Sequence, residues 1–374
     1  MPASAAQPEV RADARLDLVG LVQRLSGDPH APRNLESDAA AERFAKWAGH
    51  PAVTGLAKLR AAGFAWDIPM QYALYLSTPP SLTPALPAPP FFAETAGGAA
   101  SLEAWRAALA DFARVSGFMD WEKEREPRRR EELAAVRASL GGADLSADLV
   151  AELGAKTWDK WTVTVSPFFA RGGVGAWVLE EKAGRPDIVV MYGPDWKPRP
   201  AADPPSVFAA WVYPEAAFSM AYAIYDACRP VLKPAADVCA GQHIDNPEDC
   251  VQQSWVRGVV ARVVRKRYGA EAEEAYRSLA PRTAVQSRID QALDGYDRER
   301  TKYKDLMDFR GPLIAPFVEK GKDACPVVDP ARWSEKVYAR RLAYYLDGRL
   351  EAHPDPELEK VRARLAAFRA AEPK

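Results

Sequence analysis

The chain has little of what makes a catalytic or metal centre conspicuous. Histidine and cysteine occur 4 times each in 374 residues. No Cys-x2-Cys pair is present, so a zinc ribbon or finger lacks its ligand frame. Ser166, Ser219 and Ser254 lie in no Gly-x-Ser-x-Gly context, which leaves a serine hydrolase without its nucleophile turn. Arg171-Gly-Gly-Val-Gly175 is too short for a phosphate loop and lacks the strand–loop–helix order around it. There is no charge excess of either sign: 50 basic residues against 51 acidic give a net of −1. That excludes a nucleic-acid binder, which needs a basic face to displace counterions. The run Arg128-Arg129-Arg130 is followed by Glu131-Glu132 and reads as a solvated helix face. No apolar run approaches the roughly 18 residues that cross a bilayer.

What the chain does have is apolar material, 48% of its residues, enough for two domains or one large one. Apolar positions recur at helical spacing over 13–27, where Leu18, Leu21, Val22 and Leu25 share a face and Gly27 is placed to end the helix. The same spacing predicts helices over 38–47, 51–62, 67–77, 101–119, 121–139 and 146–154. His50, just before Pro51, reads as a cap or a packed side chain. Prolines crowd 79–90 and predict an extended surface connection there. The period then changes to alternation over 160–166, 174–181 and 187–192, predicting one small antiparallel sheet. Asp203-Pro204 is a helix start, and helical patterns resume over 249–267, 271–279, 283–306, 312–319, 331–350 and 355–371.

The expected fold is therefore α+β, mainly helical. It divides into a flexible N-terminus (1–12), a helical region (13–155), a region of small sheet plus helices (156–325) and C-terminal helices (326–374). The opening Pro-Ala-Ser-Ala-Ala-Gln resembles the small residues flanking a signal-peptidase cut, and sets a periplasmic or secreted location ahead of a cytoplasmic one.

Cys228, Cys239 and Cys250 are evenly spaced around His243, and Cys325 lies apart. Three readings stand: disulfides, suited to an oxidising compartment; free thiols; or a structural zinc held by Cys228, Cys239, His243 and Cys250. Disulfides come first of these and zinc last, and four cysteines allow three pairings.

Residues 214–218 read Pro-Glu-Ala-Ala-Phe. An active zinc-peptidase helix reads His-Glu-x-x-His, with both histidines on one face a turn apart. Other segments accompany this one: Asp13–Leu18 with Arg24–Gly27, Phe44 with His50-Pro51-Ala52-Val53, Leu109–Phe118, and Tyr296–Tyr303 with Phe309 and Pro312. In that order they resemble a bacterial domain family of unknown function whose members are similar to gluzincin-type zinc peptidases, and the likeness spans roughly residues 13–320. The resemblance implies a gluzincin-like helical region with a His-Glu-x-x-His helix and a third ligand, a Glu, on a second helix ending in a Val-Arg run. Cys250–Gly258 aligns with that second helix, so Gln253 stands for the Glu and Arg257 matches as an outer support.

All three ligand positions are thus changed, to Pro214, Phe218 and Gln253, while Glu215 keeps the place of the general base. Proline and phenylalanine carry no side-chain donor, and a neutral amide is a poor zinc ligand. Without zinc, water keeps a pKa of about 15.7 instead of about 7, and Glu215 has no activated nucleophile to deprotonate. Pro214 also lacks an N–H, so the helix is expected to kink there or to restart with Tyr213 extended.

The expectation is a zinc-less, catalytically inactive relative that keeps a cleft for a peptide or protein, with Trp177, Tyr192, Trp211 and Tyr213 as cleft aromatics or core. The alternative is a hydrolase with a relocated site built on Glu215, helped by Asp226, His243, Asp249, Gln252 or Gln253. A third reading is purely structural: Phe218, Ala221, Tyr222 and Tyr225 form an ordinary buried stripe, and Glu215 is an acid favoured by a helix's first turn.

Overall fold

The computed structural model describes residues 9–65, 67–140, 144–153, 160–169, 174–180, 186–192, 212–214, 217, 247–279, 285–306, 308–317, 359–360 and 363. Strand β1 (Glu9–Ala12) leads directly into helix α1 (Ala14–Leu25). Asp13 caps α1, its carboxylate accepting the Arg15 N–H at 3.0 Å. That satisfies one of the donors a helix start leaves open. The Arg15 guanidinium then donates to the Leu74 and Leu76 carbonyls at 3.0 and 2.7 Å, tying this cap to a distant turn.

Leu16, Leu18, Val19, Leu21 and Val22 are all fully buried. Helix α1 is therefore enclosed all round instead of showing one apolar stripe. Against it pack α2 (Leu35–Phe44), α3 (Pro51–Ala62) and α4 (Ile68–Ala73). Next come α5 (Pro90–Thr95), α6 (Ala99–Val115), α7 (Phe118–Glu124) and α8 (Glu126–Leu140). Helix α5 falls at the end of the proline-rich stretch read as an extended connection, because Phe91 and Phe92 are drawn into the core. His50 is the cap of α3: its Nδ1 accepts the Ala52 N–H at 3.1 Å, while Nε2 faces Asp111 at 3.3 Å.

Helix α9 (Leu145–Leu153) precedes strands β2 (Lys160–Val165), β3 (Val174–Glu180) and β4 (Pro186–Tyr192). The sheet order is β1-β2-β4-β3. β1 runs parallel to β2 and β2 parallel to β4, and only β3 and β4 pair antiparallel. The sheet is thus mixed, which corrects the antiparallel expectation, and residues 9–12 belong to it instead of to a flexible end. The cause is connectivity: the whole helical block lies between β1 and β2, and a long crossover permits parallel pairing where a tight turn does not. Thr162, Val163, Thr164 and Val165 are all buried, so the Thr/Val alternation marks two covered faces and no solvent face. Phe168 and Phe169, just past β2, sit in the same core as α1, Phe44, Phe112 and Trp121, so one core crosses the 155/156 boundary drawn from the sequence. The fold class is α+β, mainly helical.

The second helical stretch contains α10 (Pro247–Tyr268), α11 (Ala270–Leu279), α12 (Gln286–Arg298) and α13 (Arg310–Ile314). Arg262 of α10 is buried and bridges to α12, with Nε 3.3 Å from Asp297 and Nη2 donating to the Asp290 carbonyl at 3.1 Å. The expected helices over 331–350 and 355–371 lie outside the described residues, apart from 359–360 and 363.

One cap joins both halves of the first core. Asn34 Oδ1 accepts the Ser37 N–H at 2.8 Å, and Ser37 Oγ accepts the Asn34 N–H at 3.0 Å, a reciprocal capping box. The Asn34 amide also donates to the Pro167 carbonyl at 2.7 Å, reaching the end of β2. Replacing Asn34 by Ala removes the side-chain cap and strands that carbonyl, so a loss of about 1–2 kcal/mol is expected. A urea midpoint unchanged from the parent chain would contradict this.

Candidate functional site

Two places gather functional chemistry. The first surrounds the ligand positions suggested by the sequence. Residues 212–214 are helical, so the segment does not restart at Pro214 with Tyr213 extended. Val212 and Tyr213 are fully buried, Ala217 is nearly so, and Pro214 is partly exposed. The Tyr213 hydroxyl donates to the Asp148 carboxylate of α9. Arg267 of α10 grips the same carboxylate, with Nη1 at 3.1 and 3.0 Å from its two oxygens. Burial, then the Asp148 carboxylate, push the Tyr213 hydroxyl far above its ordinary range, so it stays a donor. Tyr213 is therefore a core anchor and does not line a cleft.

Gln253 and Arg257 lie one turn apart on α10. Arg257 Nη2 donates to Gln253 Oε1 at 3.1 Å. Burial pushes the Arg257 guanidinium below its ordinary value, while Tyr276 of α11 acts the other way. The Gln253 amide oxygen thus faces a cation on its own helix. Glu215 and Phe218 lie outside the described residues, as do Cys228, Cys239, Cys325, His243 and Trp211. Cys250 is in the first turn of α10, and Trp177 and Tyr192 are on β3 and β4. Among the described residues, no group of three His, Cys, Asp or Glu side chains is placed to hold a metal.

Compared with family models, curated proteins and solved structures, the chain matches none. The gluzincin-like reading stands on the sequence segments alone.

The second place was not anticipated. Arg129, read as part of a solvated face, turns inward instead. Its Nη2 donates to Glu122 Oε2 at 2.6 Å and to Asp17 Oδ2 at 3.2 Å. Arg125 Nη1 donates to the same Asp17 oxygen at 3.1 Å and to Glu122 Oε1 at 3.2 Å, and its Nη2 pairs with Glu36. Ser166, at the end of β2, donates to Asp17 Oδ1 at 2.6 Å. The Arg125 guanidinium lies over the Trp121 ring, 4.3 Å from its centre. Only Arg128 and Arg130 keep the predicted solvation, at 63% and 72% side-chain exposure. The arrangement follows from helix spacing, since 122, 125 and 129 share one face across the α7–α8 join. A sequence signal existed: Asp17 interrupts the run Leu16-Asp17-Leu18-Val19 on a helix with no polar side, so its charge had to be met inside.

Proposed function

We propose that this chain is a zinc-less relative of gluzincin-type peptidases that does no hydrolysis and binds an extended peptide by strand addition. The observation that carries the reading is the Gln253–Arg257 contact, which puts a guanidinium on the oxygen where an active relative would offer a carboxylate to zinc. Pro214 supports it, because the first-ligand position has no donor atom at all. The peptide half of the reading is supported by β3. It pairs only with β4 among the described residues, and no described strand takes up the N–H and C=O groups along its other side. An extended segment would add there through main-chain bonds and read alternate side chains.

Calorimetric titration of zinc into chelator-treated protein is expected to give no saturable binding. Titration of a capped Ala-Val heptapeptide, followed by amide NMR, is expected to move resonances of Val174–Glu180 first. Stoichiometric zinc bound through Glu215 would overturn the zinc-less reading. Peptide shifts absent from β3, or scattered away from it, would overturn the strand-addition reading.

A further inference from the structure

Charge does not balance in the cluster that joins α1, α2, α7 and α8. The carboxylates of Asp17, Glu122 and Glu36 are 1%, 6% and 9% exposed. Only two guanidiniums are comparably enclosed, Arg125 and Arg129 at 11% and 14%. Widening the circle keeps the deficit. Glu132 adds a fourth carboxylate, Arg128 a third and mostly solvated guanidinium, and these two pair with each other at 3.0 Å. Ser166 contributes a hydroxyl and Trp121 a ring face, neither of which carries charge. No lysine or histidine among the described residues pairs with these acids. An enclosed negative charge without a counter-ion costs several kcal/mol, and a carboxyl in that position takes up a proton instead.

We propose that this cluster holds a proton, carried by Glu122, and that its release loosens the seam between α7–α8 and α1, making the seam a pH-sensitive latch. The placement follows from the two guanidinium nitrogens, Arg125 Nη1 and Arg129 Nη2, that Asp17 and Glu122 share. Asp17 receives Ser166, Arg125 and Arg129, and so is the best-solvated anion. Glu36 has Arg125 Nη2 to itself and lies beside Arg128, although its Oε2 accepts no hydrogen bond. Glu122 has only the two guanidiniums it shares with Asp17, whose Oδ2 takes both. Burial, and then the Asp17 charge, push the Glu122 carboxyl up to about 7 against the pull of Arg129 and Arg125. The folded chain therefore binds a proton that the unfolded chain, with its ordinary value of 4.5, has lost. The stability this contributes is complete below 4.5 and is lost as pH rises through about 7. When the proton leaves for solvent, three enclosed anions face two cations, and the α7–α8 seam carries the repulsion.

Three readouts test the latch on the full chain, comparing the parent with Glu122→Gln, a neutral near-isostere. In the parent, the infrared C=O band of a protonated carboxyl is expected to fade as pH rises through about 7, and the urea midpoint to fall between pH 4.5 and about 7. Above that interval, amide exchange in α7 and the first turns of α8 is expected to exceed its intrinsic pH dependence. Glu122→Gln is expected to lose the band, the midpoint step and the excess exchange together. Histidines titrate in this range but give no carboxyl band, so they do not mimic the result. A band and step that persist in Glu122→Gln, or a parent chain showing neither, would overturn the proposal. If Glu122→Gln does not fold, Glu132→Gln and Glu152→Gln, which remove the other carboxyls that burial pushes up, are expected to keep the parent's band, and its loss in either would overturn the proposal.

Discussion

Arg125→Met is expected to destabilise the protein by about 3–5 kcal/mol at neutral pH, the cost of removing one partner from a buried ion pair. Methionine fills much of the space and can still lie on Trp121, so little of the loss comes from packing. What goes is the guanidinium that reaches Asp17, Glu122 and Glu36 at once. Arg129 is left as the only enclosed cation for three carboxylates. The deficit is expected to shrink on acidification, because protonating stranded carboxyls removes the charge that lacks a partner. Arg125→Lys keeps the charge but loses the planar fork that contacts several carboxylates together, and should fall between the parent and the methionine variant. Urea unfolding at several pH values measures all three chains. A loss below about 1 kcal/mol for Arg125→Met is what a solvated surface pair would give, and would show that the cluster is open to water.

The second large effect reverses a helix rule. Gly20 lies in the middle of α1 with a helical backbone, where alanine normally adds up to about 1 kcal/mol of stability. Here a Cβ would stand 2.1 Å from Phe168 Cβ and 2.7 Å from Met70 Cε. The methionine end can swing aside, but Phe168 Cβ is fixed to its own backbone. Helix α1 and the chain after β2 would have to separate, so Gly20→Ala is expected to cost about 3 kcal/mol or more. Gly258→Ala in α10 is the control. Its nearest neighbour is the flexible tip of Leu293 at 2.7 Å, which can rotate away, and the expected cost is about 1 kcal/mol. Thermal or urea unfolding of the two variants should rank Gly20→Ala far below Gly258→Ala. Equal losses would mean that the approach of α1 to Phe168 is looser than the geometry indicates.

How much of this was legible in the sequence varies with the range of the interaction involved. The spacing over 249–267 predicts helix α10, which spans Pro247–Tyr268, because a helical period is a local property. The cap role of His50 was readable for the same reason, since Pro51 fixes the first turn of α3. Strand direction was not readable: whether β2 finds β1 in parallel depends on a partner on the far side of the helical block. The burial of both faces of β2 is not readable either, because threonine alternating with valine looks the same whether or not the threonines are covered. The inward turn of Arg129 was hidden in the same way. Three consecutive arginines look equivalent until Asp17, more than a hundred positions earlier, selects one of them. Around the candidate cleft, the absence of donors at Pro214 is a property of residue type and needs no coordinates. The burial of Tyr213 against Asp148 is a tertiary fact, which an aromatic residue in the sequence could not announce.

The position of β1 also bears on how the chain is made. Its partner β2 follows only after α1–α9 have been synthesised. At about 5–20 residues per second, this first strand waits on the order of ten seconds beside the ribosome with nothing to pair with. Through that interval the nascent helices must gather around α1 on their own contacts, and the sheet closes over them afterwards. Slowing translation just before residue 160 would lengthen the exposure of that unpaired strand and should raise the yield of aggregated chain, without altering the finished molecule.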